Sequence, residues 1–255
     1  MKICRFSLRK QTSWGVVKDD LVFPFEKFDF GNVFSDFINS RKFIKKNNVK
    51  FLPPVTPSKV VCVGRNYAEH AAELGNQIPK EPLLFLKAPS ALISDGNAIV
   101  IPGQSNLVEH EGELAIIINR NCKNLTEDDN PFDYVFGYTC LNDVTARDLQ
   151  RQDVQFTRAK SFDTFCPIGT FIETELNVSD LRVLTKVNGV IKQDGRTSQM
   201  VFSVPFLIRY ISNQMTLMAG DIIATGTPAG VSKLERGDVC EVEIEGIGAL
   251  RNPVL

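Results

Sequence analysis

Residues 110–119, HEGELAIIIN, join an unbroken apolar run, Leu114 to Ile118, directly to two carboxylates, Glu111 and Glu113. A short apolar run rich in β-branched residues predicts a buried strand. Side chains on a strand alternate with a period of two, so an E-x-E pair presents both acids on one face and can bite one ion. Asp143, in CLNDVTARD, lies beside a second apolar run and adds a third carboxylate. An ionised acid against a core is costly unless a cation holds it. Three oxygen donors, with no thiolate and no obvious imidazole partner, suit a hard cation such as Mg²⁺ or Mn²⁺ and leave positions for water and substrate. The alternative is that these acids edge a hairpin and face solvent, the common fate of Glu and Asp.

A second cluster follows the strand-like SKVVCVG, where GRNYAEHAAELG turns helical from Tyr67 to Leu74. His70 and Glu73 are three residues apart and share a helical face, so the carboxylate can orient the imidazole while it takes or gives a proton. A local surface ion pair explains the same spacing. The chain has two histidines, His70 and His110, and each stands near an acid in one of these two segments.

Composition narrows the partners. A chain of 255 residues that is 43% hydrophobic can bury a sizeable core. Its 29 basic residues balance 30 acidic ones, so no global field recruits nucleic acid or an anionic membrane, and small molecules and other subunits are the expected partners. Six cysteines at positions 4, 62, 122, 140, 166 and 240 lack CxxC or finger spacing and read as buried thiols of a reducing compartment. MKICRFSLRK contains no continuous apolar signal segment and no stretch is long enough to span a bilayer, which predicts a cytoplasmic protein.

Residues 2–25 read as short strands with a turn near Lys18 to Asp20. From Asn32, the apolar positions Phe34, Phe37, Ile38 and Ile44, ending in KKNN, predict one amphipathic helix. Pro53, Pro54 and Pro57 then form a stiff connector, which divides a small N-terminal region, 1–57, from the remainder, 58–255. Beyond it, KVVCVG, PLLFLK, NAIVIP, ELAIIIN, YVFGYTCL, CPIGTFI, LTKVNGVI, DIIATG and VCEVEI read as strands. Asn188-Gly189 supplies a hairpin turn. Only a few helices interrupt, chiefly at 67–74 and about 203–213, where Phe206, Leu207 and Tyr210 give helical spacing. Without βαβ repetition a doubly wound parallel sheet is disfavoured, and without G-x-G-x-x-G or a P-loop so is nucleotide chemistry. The fold class expected is α+β, mainly β.

Seven segments in order, VVCVGRNYAEHAAELG, EPLLFLKAPSALI, HEGELA, GYTCLNDVTARDLQ, RAKSFDTFCPIG, VNGVIKQDG and LMAGDIIATGTPAGV, resemble the fumarylacetoacetate hydrolase family across nearly all of residues 58–255. The resemblance implies a mixed β-sandwich roll with a small N-terminal α/β appendage, as in the short bacterial hydrolase, isomerase and decarboxylase branch. It implies a divalent cation, usually Mg²⁺ with Mn²⁺ or Ca²⁺ as alternatives, on Glu111, Glu113 and Asp143. His70 and Glu73 fall on the family's catalytic pair, in a lid segment. Lys160 matches a lysine that faces the substrate oxygens, and Thr227 one that contacts the substrate carboxylate. Arg147 and Gln150 match further substrate contacts. A solvated lysine, a simple turn and a helix-surface ion pair are the respective alternatives. A twofold homodimer is also implied by the family.

The chemistry implied is that of 2-oxo or 1,3-dicarbonyl acids, with hydrolysis of a C–C bond in an acylpyruvate-like substrate as the leading expectation. Isomerisation or decarboxylation of related dienedioate or oxo-tricarboxylate compounds needs the same electron sink, so control of water and of proton donors decides among them. A weakly catalytic metal-dependent binding protein is a further alternative.

Overall fold

A computed structural model describes residues 1–30 and 42–255. The N-terminal part contributes β1 (Lys2–Leu8), β2 (Gln11–Lys18), β3 (Leu21–Pro24), β4 (Ile44–Lys45) and β5 (Lys50–Leu52). Next come β6 (Val60–Gly64), helix α1 (Ala68–Glu73), β7 (Leu83–Lys87), β8 (Leu92–Ser94), β9 (Val108–Glu109), β10 (Gly112–Ile118), β11 (Val135–Asn142) and β12 (Thr145–Ala146). Two short helices, α2 (Arg147–Gln152) and α3 (Thr157–Lys160), precede β13 (Cys166–Ile168) and β14 (Phe171–Glu173). The chain ends with β15 (Arg182–Val187), β16 (Val190–Arg196), α4 (Val204–Gln214), β17 (Ile222–Ala224), β18 (Val239–Ile244) and β19 (Gly248–Pro253).

A large mixed sheet runs in the order β4-β3-β2-β1-β14-β11-β10-β17-β6-β7, and a second sheet runs β16-β15-β18-β19. The fold is α+β and mainly β, as expected. The first strands do not form a sheet of their own, because β1 continues the large sheet through the pairs Ile3↔Ile172 and Cys4↔Phe171 with β14.

Strand β10 lies at the centre and explains why its sequence does not alternate. Leu114, Ile116 and Ile118 pack on one face with Val183, Val242 and Ile244 of the second sheet and Leu207 of α4. Ala115 and Ile117 pack on the other face with Cys62, Ile168 and Ala224. A strand buried on both faces needs apolar residues at every position. Each fully buried aliphatic side chain here contributes roughly 1.5–3 kcal/mol.

The expected Asn188-Gly189 hairpin joins β15 to β16, with φ of 52° and 80° at the two turn residues, the left-handed pair that a type I′ turn requires. All six cysteines are buried and free. Helix α4 forms where expected, but its buried stripe is Val204, Leu207, Ile208 and Ile211. Phe206 and Tyr210 instead stack outside it, with Phe202 and Phe206 centroids 5.5 Å apart. Two other expectations are corrected. NAIVIP is not a strand; only Ile99 bridges, to Val254. The helix expected from Asn32 lies mostly outside the described residues, but its last apolar position, Ile44, sits in β4 opposite Val22, where it joins the small cluster of Cys4, Phe6 and Val17.

Asp221 ties the parallel pair β6–β17 together at its start. Its buried carboxylate accepts from Ser58 N (2.9 Å), Ser58 Oγ (2.6 Å), Lys59 Nζ (2.5 Å) and Met218 N (2.8 Å). Burial opposes the charge, yet these donors outweigh it and hold the Asp221 carboxyl below its ordinary value. A depressed carboxyl stabilises the fold above the ordinary carboxylate range and loses that contribution as pH falls through its folded value. Asp221→Asn should therefore cost about 2 kcal/mol at neutral pH. In denaturant melts the gap from the parent protein should narrow below about pH 4; a gap independent of pH would mean that the charge contributes nothing.

Candidate functional site

The register of β10 on β11 builds the acidic cluster. Gly112 pairs with Asn142 and Glu113 with Leu141, and Asp143 N donates to the Glu111 carbonyl at 2.8 Å. Glu111 and Asp143 thus stand opposite each other at the strand ends, and Glu113 is two residues along the same face. Their candidate ligand oxygens all lie within 4.8 Å of one another, and all three residues are buried. The glycine between the two glutamates is required by packing: a Cβ on Gly112 would stand 2.1 Å from Thr185 Oγ1 of β15. Gly226 is required as well. At φ +95° its N–H donates to Glu113 at 2.7 Å, and a Cβ there would press on Asn66 and on the Val63 carbonyl.

Cations surround part of this cluster. Lys160 Nζ spans Glu111 Oε2 (2.7 Å) and Asp143 Oδ2 (2.6 Å). Lys87 Nζ donates to Asp143 Oδ1 (2.5 Å) and to the Val144 carbonyl (3.1 Å). Arg147 donates to Glu111, to Glu109 (2.6 Å) and to Gln150 (2.5 Å). Burial opposes ionisation of Glu111, but Lys160 and Arg147 outweigh it and hold its carboxyl well below the usual range. Burial likewise opposes the Lys160 ammonium, but Asp143 and Glu111 outweigh it and hold it above its ordinary value.

Glu113 is the exception. It is 2% exposed and makes no ion pair among the described residues. Burial, then Asp143, then Glu111 push its carboxyl well above the ordinary value. Its ionised form would carry negative charge that no protein cation neutralises, on the same oxygen set that a divalent ion would share. The donors are all carboxylates, which fits a hard cation such as Mg²⁺. The triad can hold a metal.

His70 and Glu73 lie on α1 beside the cluster, with His70 Nδ1 3.3 Å from Glu73 Oε2. Glu73 also accepts from Gly230 N at 3.1 Å, which fastens α1 to the turn after β17. His70 is buried, and its Nε2 is the nitrogen left for the cavity. That cavity, of about 260 Å³, is lined by Glu111, Glu113, Asp143, His70, Lys160 and Thr227, together with Arg147 and Gln150. Every candidate residue from the sequence except Glu73 reaches its wall, and Glu73 stands behind His70. The Thr227 hydroxyl donates to the Gly112 carbonyl at 2.8 Å and accepts from Gln193 Nε2 at 2.7 Å. The other histidine, His110, is outside the cavity: buried between Gln193 Oε1 (3.1 Å) and Ser232 Oγ (2.8 Å), it is pushed down to about 4 by burial and stays neutral.

Three residues of this site escape sequence reading. Lys87 ends the apolar run PLLFLK and looks like a strand-edge lysine, yet it is 1% exposed and grips Asp143. Glu109 turns Arg147 toward Glu111. Gln193 links β16 to both Gly112 and Thr227. The one available signal is the unbroken apolar context of Lys87; nothing local marks the other two.

The family model described as fumarylacetoacetate (FAA) hydrolase C-terminal matches residues 59–255. The chain belongs to the fumarylacetoacetate hydrolase family. It is 54% identical over 204 residues to an uncharacterized protein of Archaeoglobus fulgidus, covering 80% of this chain and 81% of that one. It is 41% identical over 223 residues to oxaloacetate tautomerase YisK of Bacillus subtilis, covering 82% of this chain and 74% of that one. Among solved structures, 5-carboxymethyl-2-hydroxymuconate delta-isomerase from Mycobacterium smegmatis superimposes with a TM-score of 0.90 at 38% identity, covering 100% of this chain and 99% of that one. These similarities make this family member an enzyme with an acidic site able to hold a metal. No described helix is long and apolar enough to cross a membrane.

Proposed function

We propose that this protein catalyses proton transfer at the carbon beside the keto group of a small 2-oxo acid, interconverting keto and enol forms or shifting a conjugated double bond. One observation carries the proposal: the buried His70, backed by Glu73 at Nδ1, opens onto the same cavity as three clustered carboxylates. The names of the Bacillus and Mycobacterium relatives, a tautomerase and an isomerase, support it.

In this reading Glu111, Glu113 and Asp143 hold a divalent cation. When bound, such an ion supplies Lewis-acid stabilisation of negative charge developing on the substrate oxygens. His70 Nε2 takes the proton from carbon, and Glu73 at Nδ1 stabilises the resulting imidazolium. Lys160 holds Glu111 and Asp143 in place and presents a fixed positive charge to the substrate oxygens. Arg147, with its nitrogens on Glu109, Glu111 and Gln150, serves to position Glu111. Thr227 and Gln150 line the wall where the substrate carboxylate and its neighbours bind. Residues 1–57 serve to brace the sheet that carries the site.

The same dyad acting on a water would give C–C hydrolysis. Incubating the protein and Mg²⁺ with oxaloacetate and with an acylpyruvate in D₂O separates the two outcomes. Deuterium incorporation and enol decay without new fragments are expected; fragments of the acylpyruvate appearing as fast as the exchange would replace tautomerisation with hydrolysis.

A further inference from the structure

Arg65 and Arg151 also line the cavity of the acidic triad, yet neither side chain makes an ion pair or hydrogen bond with the described residues. Burial grades along this cavity: the triad and Lys160 are buried, Arg65 is half-buried and Arg151 is exposed. The two arginines therefore stand toward its mouth. Arg151 follows Arg147 by four residues on α2, so it shares the helix face from which Arg147 reaches Glu111, one turn farther along.

Arg65 is held unusually. Its φ of 58° lies in the left-handed region, uncommon for a residue with a long side chain. The buried Asn66 fixes that backbone: its Oδ1 accepts from Phe202 N at 2.7 Å, and its Nδ2 donates to the carbonyls of Thr225 (2.7 Å) and Phe202 (3.1 Å). A backbone conformation that must be enforced by its neighbours is characteristic of binding sites. Two guanidiniums without protein counter-charges in one concave site attract an anion, and their planar donor pairs match a carboxylate.

We propose that Arg65 and Arg151 form a second anion subsite at the cavity mouth, which selects 2-oxo dicarboxylates by binding the carboxylate distal to the keto group. The inference rests on the 2-oxo acid function proposed above. It makes these arginines specificity residues, with no part in moving the proton.

Calorimetric titration of the Mg²⁺-supplied protein tests this with two matched pairs: 2-oxoglutarate against 2-oxopentanoate, and 2-oxoadipate against 2-oxohexanoate. Within each pair the head group is constant and the distal carboxylate is present or absent. The unmodified protein should bind at least one dicarboxylate about tenfold more tightly than its monocarboxylate partner. Arg65→Gln with Arg151→Gln should abolish that preference while leaving monocarboxylate binding within about twofold. Arg151→Lys should retain part of it, and Arg151→Gln alone carries the test if Arg65→Gln does not fold. A preference that survives the double replacement, or equal weakening within each pair, would overturn the subsite. If the unmodified protein binds both members of each pair equally, the subsite fails and the head-group site stands. If the folded protein with Mg²⁺ binds none of the four, the 2-oxo acid function fails with it.

Discussion

Glu113→Gln is expected to lower divalent-metal affinity at least about a hundredfold and to remove turnover with it. The same change should make the metal-free protein melt at a higher temperature than the parent. Glu113 is buried beside Asp143 and Glu111 with a single backbone donor, so without an ion its ionised form is unneutralised, and folding at neutral pH costs either that charge or the uptake of a proton. An amide of the same size is neutral at every pH, removes that cost and can donate to the neighbouring carboxylates. Adding Mg²⁺ at a hundred times its dissociation constant should stabilise the parent by about 2.7 kcal/mol and the variant by no more than about 0.4 kcal/mol. Thermal melts with and without chelator read both effects, and unchanged metal-dependent stabilisation in the variant would remove Glu113 from the ion's shell.

The second large effect belongs to His70. Replacement by alanine should lower kcat by about 10²–10⁴-fold, the usual contribution of a positioned general base. Mg²⁺ affinity should stay within about twofold, because the imidazole is held by Glu73 and touches none of the three acids by hydrogen bond. Glu73→Gln should give a smaller loss of kcat, since it keeps the size of the partner but not its charge. Isothermal titration with Mg²⁺ beside steady-state kinetics separates these roles. A parallel loss of metal affinity and kcat in His70→Ala would contradict the division between proton transfer and ion binding.

Much of this site is legible because its parts are local in sequence. The E-x-E pair needs only the strand period, and His70 with Glu73 needs only one helical turn. The hairpin at Asn188-Gly189 follows from two residues able to adopt positive φ. What cannot be read is what depends on distant chain segments. Lys87 meets Asp143 across 56 residues and Gln193 meets Gly112 across 81, with no periodic signal connecting them. Helices α2 and α3, of six and four residues, are too short for an apolar period to show. Arg147 matches the family's substrate-contact pattern, yet Glu109, 38 residues away, and Gln150 turn it toward the acids. NAIVIP is an apolar β-like run but meets one bridge partner, Val254, and Ile44 completes a cluster with residues from β1, β2 and β3.

The proposed chemistry depends on Glu111, Glu113 and Asp143 sharing one divalent ion. Crystals grown with Mn²⁺ and measured at a wavelength where manganese scatters anomalously test this directly. A single strong anomalous peak within coordination distance of all three carboxylates, absent from Glu113→Gln crystals, is the predicted result. A fully active protein whose only manganese peak lies away from these acids would contradict it.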